Sequence, residues 1–242
     1  DDGGLKSYME LLNAAFGEDL KYSSVEETRG HLVSSQYFES LSSEATFHIH
    51  TLRYGILLAK LAVDSGVKVY ESSPALNCEK RGSSFVVTTA SGEVRAAHVV
   101  HCVSSADTRL HRPSGRAVLP VATYVAVTEP IKQDVIRTNA AIADTRRAGD
   151  YYRLIDGGRI LWGGRITTRV SEPSQLAERM KGDMLSVYPD LGNPRIEFAW
   201  SGLMGYAIHK MPLIGRDAEG QWFATAFGGH GLNTTAMGGG LV

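Results

Sequence analysis

The chain has little cysteine, almost no net charge, and no apolar run long enough to cross a bilayer. Each shortage removes a class of function. Only Cys78 and Cys102 are present, and neither belongs to a C-x-x-C pair, so a structural zinc site or a dithiol redox motif is not indicated. Two buried free thiols in a reducing compartment are expected over a disulfide. A formal net charge of −1 gives no electrostatic footprint for nucleic acid or an anionic membrane. Asp1-Asp2-Gly3-Gly4 carries neither the basic start nor the apolar stretch of a secretory leader, so a cytoplasmic location is expected. The pattern G-x-G-x-x-G is absent throughout, which leaves no usual first-turn cradle for a dinucleotide pyrophosphate. A G-x-S-x-G elbow is also missing, and with it the sequence signal for a serine hydrolase.

What is present is an ordinary globular composition, 43% hydrophobic and 21% charged over 242 residues, enough for one or two domains. The first fifty residues read as mainly helical, with Leu5, Tyr8, Met9, Leu11 and Leu12 on one face. Ser24 and Glu27 have the spacing of a capping box for a helix running toward Leu32. Thr51 is placed to cap a helix over 52–65, with Leu52, Ile56, Ala59 and Val63 as its apolar stripe and Gly66 closing it. Val67–Tyr70 follows as a predicted strand. Phe85–Thr89 and Val94–Cys102 flank Ser91-Gly92 as a hairpin, and Tyr151–Ile155 and Arg159–Gly163 flank Asp156-Gly157-Gly158 as another. Ala117–Thr128 reads as a long strand in which Pro120 implies an edge or a bulge. Pro173 is expected in the first turn of a helix ending near Val187. Strands are also predicted over Arg195–Trp200 and Trp222–Phe227, with a turn at Asp217–Gly220. No repeat is visible, and the pattern is α+β rather than a regular βαβ alternation.

The strongest chemical signal lies near the end. The apolar run Trp222–Phe227 breaks into Gly228-Gly229-His230-Gly231 and then turns helical. Three glycines in four positions let backbone N–H groups approach a ligand where side chains would obstruct it. A plain tight turn is the competing explanation. Trp200, Tyr206, His209 and Lys210 lie in a stretch that could wall a pocket, or could serve as core aromatics and a solvated lysine. His48 and His50 alternate by two and so face opposite sides of an extended segment, which argues against a metal pair.

Four stretches together resemble the FAD-dependent D-amino-acid-oxidase-like superfamily, nearest to the γ-glutamylputrescine oxidase group. They are Phe47–Gly55; Val99–Ser105 with Leu119–Pro130; Leu161–Arg165; and Trp200-Ser201-Gly202 through Met211–Gly215 to Phe227–Gly231. The resemblance implies a substrate domain with a large mixed sheet plus an incomplete FAD-binding domain. The division it implies is 1–115 and 206–242 for the flavin part and 116–205 for the substrate part. Ala75 and Leu76 would set backbone against the adenine. Gly228, Gly229, His230, Gly231, Leu232 and Asn233 would direct N–H groups at the flavin ring. His50 and Tyr206 would position the substrate, with Tyr152, Trp200 and Lys210 lining its pocket and no metal involved. Family members open with a strand, a G-x-G-x-x-G loop and a helix that this sequence does not contain, so it reads as an internal stretch, expected to bind FAD weakly and to be inactive alone. Met204-Gly205 stand where amino-acid oxidases of the family often carry a carboxylate-binding arginine, which favours an amine as substrate. Ser104-Ser105 replace the Gly or Asn-Ala usual at that strand end.

The implied reaction is oxidation of a primary or secondary amine by hydride transfer to flavin, giving an imine, then an aldehyde and hydrogen peroxide. A dehydrogenase using another acceptor keeps the same family. The rival of a different class is a cofactor-free binding module, whose exposed apolar face would favour a homodimer.

Overall fold

The computed structural model describes residues 4–105, 110–146 and 148–242; residues 1–3, on which the leader expectation rests, lie outside that range. In chain order the elements are α1 (Gly4–Phe16), β1 (Leu20–Ser23), α2 (Val25–His31), β2 (Ser40–Ser43), α3 (Thr51–Asp64), β3 (Asn77–Arg81), β4 (Ser84–Thr89), β5 (Gly92–Ala96) and β6 (Val100–His101). Then come α4 (Arg112–Ala117), β7 (Leu119–Thr128), β8 (Ile142–Ala143), β9 (Tyr151–Ile155), β10 (Arg159–Thr167) and α5 (Leu176–Val187). The last are β11 (Ile196–Tyr206), β12 (Leu213–Arg216), β13 (Trp222–Thr225) and α6 (Gly231–Leu241). Two compact units form, each from three segments of the chain.

The first unit comprises Asp1–Tyr54, Tyr124–Arg165 and Glu172–Ser201. Its frame is a sheet in the order β11-β7-β10-β9-β8, of which β7, β10 and β11 run on past the unit's boundary. The β9–β10 hairpin forms as predicted, with Gly157 and Gly158 both at positive φ in the turn. Pro120 does not mark an edge: β7 has a neighbour on each side, and the proline is only its second residue, where a missing N–H costs little. α5 begins at Leu176, three residues after Pro173, because Gln175 turns left-handed at φ 59 before it. Its buried side chains Leu176, Met180, Met184 and Val187 recur at helical spacing. The core centres on Tyr152 and Trp162, stacked at 4.2 Å, with Tyr188 set edge-on to both.

The N-terminal part of this unit is less helical than its sequence suggests. β1 and β2 pair antiparallel, Leu20 opposite Ser43, and 46–50 has no strand partner. The capping box is complete: Ser24 Oγ accepts the Glu27 N–H, and the Glu27 carboxylate accepts the Ser24 N–H.

The second unit comprises Gly55–Thr123, Ile166–Ser171 and Gly202–Val242. It holds an antiparallel sheet β3-β4-β5 and a second sheet β12-β13-β6, in which β13 and β6 run parallel. The predicted strand over Val94–Cys102 divides in two: β5 closes the hairpin, while β6 leaves to pair with β13. Val67–Tyr70 is not a strand: among the described residues none pairs with it, and Val67, Val69 and Tyr70 remain exposed. Gly66 closes α3 as expected, at φ +91, with the Val67 N–H donated to the Ala62 carbonyl. The stripe on α3 buries nothing: Ile56 and Val63 are exposed, as are Leu57, Leu58 and Leu61. Both cysteines are free, as expected, but Cys102 is exposed and only Cys78 is half-buried.

Candidate functional site

The glycine loop opens a pocket within the second unit. β13 ends at Thr225, and the chain then alternates between backbone basins: Ala226 at φ 56, Phe227 at φ −70, Gly228 at φ 58. This folds Gly228–His230 into one 3₁₀ turn ahead of α6. The cavity above it is open and measures about 570 Å³. Its lining is the predicted set Gly228, Gly229, His230, Gly231, Leu232 and Asn233, joined by Met204 and Thr235.

Not every amide of the loop faces outward. The Gly229 N–H is donated to the Tyr206 hydroxyl at 3.1 Å, and the His230 N–H to the Phe227 carbonyl at 3.2 Å. No side chain caps α6. Leu232 and Asn233, at the second and third helical positions, are the donors that helix geometry leaves without an intrahelical partner. The helix dipole adds partial positive charge at the same place. The site therefore combines apolar contact from Met204 and Leu232, bare glycine backbone, and two N–H donors.

The other predicted residues divide between the two units. In the first unit, His50 is exposed and caps α3, with Nδ1 3.4 Å from the Arg53 N–H. Trp200 is 44% exposed on β11. Tyr152 is 2% exposed and belongs to the core: its hydroxyl lies 2.7 Å from that of Tyr188 and donates to that of Tyr37 at 2.9 Å. Burial pushes the Tyr37 phenol up to about 12, and those of Tyr152 and Tyr188 higher still. In the second unit, Lys210 is exposed at φ 62. Leu76 is exposed and donates its N–H to the Thr88 carbonyl at 2.7 Å, with Ala75 half-buried beside it. Within the second unit the structure brings Tyr206 against the loop 228–233.

Met204 and Thr235 went unpredicted as pocket residues. Thr235 could have been found from its spacing, four residues after Gly231 on one helical face; its hydroxyl donates back to the Gly231 carbonyl at 2.6 Å. A buried polar cluster in the second unit was likewise unforeseen. His111 caps α4, accepting the Ser114 N–H at Nδ1, with Nε2 3.1 Å from Asp217. His101 stacks on it at 4.9 Å and meets the Gln221 side chain at 2.9 Å. Burial pushes the Asp217 carboxyl up, but hydrogen bonds from the Gln221 N–H and His111 outweigh this and hold it below its usual value. A larger cavity of about 920 Å³ lies in the first unit between the paired strands β1 and β2 and 138–143, and contains none of the predicted site residues. Among the described residues no His, Cys, Asp and Glu group forms a metal centre, and no helix is long and apolar enough to cross a membrane.

Comparison with known proteins converges on one group. The family model described as FAD dependent oxidoreductase matches residues 1–242. A probable oxidoreductase OrdL of Haemophilus influenzae is 30% identical over 220 residues, 88% of this chain and 50% of that protein. The gamma-glutamylputrescine oxidoreductase of Escherichia coli is 27% identical over 219 residues, 88% of this chain and 51% of that protein. The chain thus spans about half the length of these curated relatives. Among solved structures, glycine oxidase from Bacillus cereus superposes with a TM-score of 0.81 at 19% identity, covering 99% of this chain and 69% of that one. L-proline dehydrogenase from P. horikoshii gives 0.81 at 20%, covering 98% and 68%.

Proposed function

Since the chain belongs to the FAD-dependent oxidoreductase family, we propose that its glycine loop forms the wall against one end of a flavin in an enzyme that oxidises amines. The observation that carries this is the pocket over Gly228–Asn233, where bare backbone and the first turn of α6 face open space. The residues fit the group: Met204 and Leu232 offer apolar contact to a flat ring, and the Leu232 and Asn233 N–H groups suit its carbonyl oxygens. Those donors favour negative charge as it develops on the ring, the electrostatic logic of an oxyanion hole. Bound FAD would supply a two-electron acceptor for the hydride of the amine-bearing carbon, leaving an imine for hydrolysis to an aldehyde and electrons for oxygen to give hydrogen peroxide. If the amine enters neutral, no strong base is needed, and the protein's part is orientation and exclusion of water.

Within this proposal 1–115 and 206–242 belong to the flavin part and 116–205 to the substrate part. Ala75 and Leu76 serve the adenine, and the exposed His50, Trp200 and Lys210 are the candidates for substrate contact. Met204, in place of an arginine, supports an amine without a carboxylate bound at that position. One relative is named for gamma-glutamylputrescine, whose putrescine end is a primary amine. The test is an anaerobic amine screen on FAD-saturated protein of the relatives' full length, since this stretch alone is expected to be inactive. Loss of the oxidised flavin's visible absorption with aliphatic amines, and aldehyde on exposure to air, is expected. Bleaching by free amino acids but by no simple amine would contradict the substrate class.

A further inference from the structure

We infer that Tyr206 is a positioning residue for the flavin wall, acting through Gly229 rather than on the substrate. It takes this role only if the loop is that wall, as proposed above. Tyr206 ends β11 and makes an isolated antiparallel bridge with Phe227. Its ring lies directly against the loop. A Cβ on Gly228 would come within 2.7 Å of the ring's Cε1, and one on Gly229 within 3.2 Å of the hydroxyl oxygen. The ring therefore leaves no room for a Cβ at Gly228 and crowds one at Gly229, independently of any ligand. The left-handed φ at Gly228 makes the same demand a second time.

The far side of the loop is held too. A Cβ on Gly238 of α6 would lie 2.9 Å from the Phe227 ring, so helix and ring are in close contact. Phe227 and its loop are thus clamped between Tyr206 and α6. The clamp has a chemical consequence. By accepting the Gly229 N–H, the phenol removes that donor from the pocket and braces the turn ahead of α6, whose Leu232 and Asn233 N–H groups helix geometry leaves without an intrahelical partner. Tyr206 therefore sets which N–H groups a flavin carbonyl can meet. Its hydroxyl retains its own proton as a further donor.

The experiment is amide hydrogen exchange by NMR on the ¹⁵N-labelled chain, in wild type and in Tyr206→Phe, which keeps the ring and loses the acceptor. In wild type the Gly229 and His230 amides should exchange more slowly than those of Leu232 and Asn233. In Tyr206→Phe the Gly229 amide should exchange about 3- to 10-fold faster, the worth of one hydrogen bond, while the β9–β10 hairpin is unchanged. FAD affinity should fall by a similar factor, and the KM of the loaded protein for amine should stay the same. Unaltered Gly229 exchange, or a raised KM with a protected Gly229, would overturn the inference. So would faster Gly229 exchange with undiminished FAD affinity. Should the variant not fold, the wild-type order of exchange decides alone: a Gly229 amide as fast as that of Leu232 refutes the clamp. Should wild type bind no FAD, the flavin wall fails while Gly229 exchange still judges the clamp.

Discussion

Removing one oxygen from Tyr152 should destabilise the protein without touching its ligand. Tyr152→Phe keeps the 4.2 Å stack on Trp162 and deletes two hydrogen bonds, of 2.7 Å with Tyr188 and 2.9 Å with Tyr37. The two partners respond differently. Tyr37 is half-buried and loses only the proton its hydroxyl oxygen accepts, keeping its own to donate. Tyr188 is fully buried, and its hydroxyl would be left without the partner it has now. Stranding a buried hydroxyl costs about 1–3 kcal/mol, so the loss should fall in that range. Urea unfolding followed by tryptophan fluorescence should show a lower midpoint at an unchanged slope. Adding Tyr188→Phe should cost less than the sum of the single changes, because the stranded group has gone. FAD and amine affinities should not move. A destabilisation below about 0.5 kcal/mol, or strict additivity of the pair, would refute the hydrogen-bonded core. Weakened amine binding at full stability would return Tyr152 to the substrate pocket.

The same phenols set an alkaline limit. Burial keeps Tyr37 protonated up to about 12, and Tyr152 and Tyr188 beyond it, whereas unfolded tyrosines ionise near 10. Their contribution is complete below pH 10 and is lost as pH climbs through the folded values. Urea midpoints should hold to about pH 10 and then fall, less steeply in Tyr152→Phe. Ser24→Ala removes the acceptor for the Glu27 N–H and should cost about 1 kcal/mol, read as a lower urea midpoint. The bare apolar face of α3 should drive self-association, seen as a concentration-dependent mass in light scattering, and Ile56→Glu should shift it toward monomer.

Local chemistry made some of this structure legible from the sequence, and non-local pairing hid the rest. Ser24 and Glu27 announce a helix start because both hydrogen bonds of the box lie within four residues. Asp156-Gly157-Gly158 announces a hairpin because only glycine tolerates two successive left-handed φ values there. In the glycine loop Gly228 alone of the three glycines takes a left-handed φ, and the others leave backbone bare. Val67–Tyr70 shows the limit: its residues favour a strand, but a strand needs a neighbour, and none is paired with it. β6 shows the converse, a continuation of one hairpin arm that instead finds β13 more than a hundred residues later. Pro120 stands in a strand with a neighbour on each side because the rule against proline in central strands weakens at a strand's first residues. An aromatic hydroxyl such as that of Tyr152 suits a ligand and a core equally. Only the positions of Tyr37 and Tyr188 decide between them. Met204 drew notice in the sequence for the arginine it replaces, whereas its place in the pocket depends on β11 ending beneath the loop.

The most direct test of the central claim is a titration of the ¹⁵N-labelled chain with FAD, followed by amide chemical shifts so that weak binding is also detected. Saturable shifts concentrated at Gly228–Asn233 and Met204, lost in Gly228→Ala, are the expected result, because that substitution forces a Cβ into the Tyr206 ring. No shift in the loop at high micromolar FAD, or shifts confined to the 920 Å³ cavity of the first unit, would contradict it.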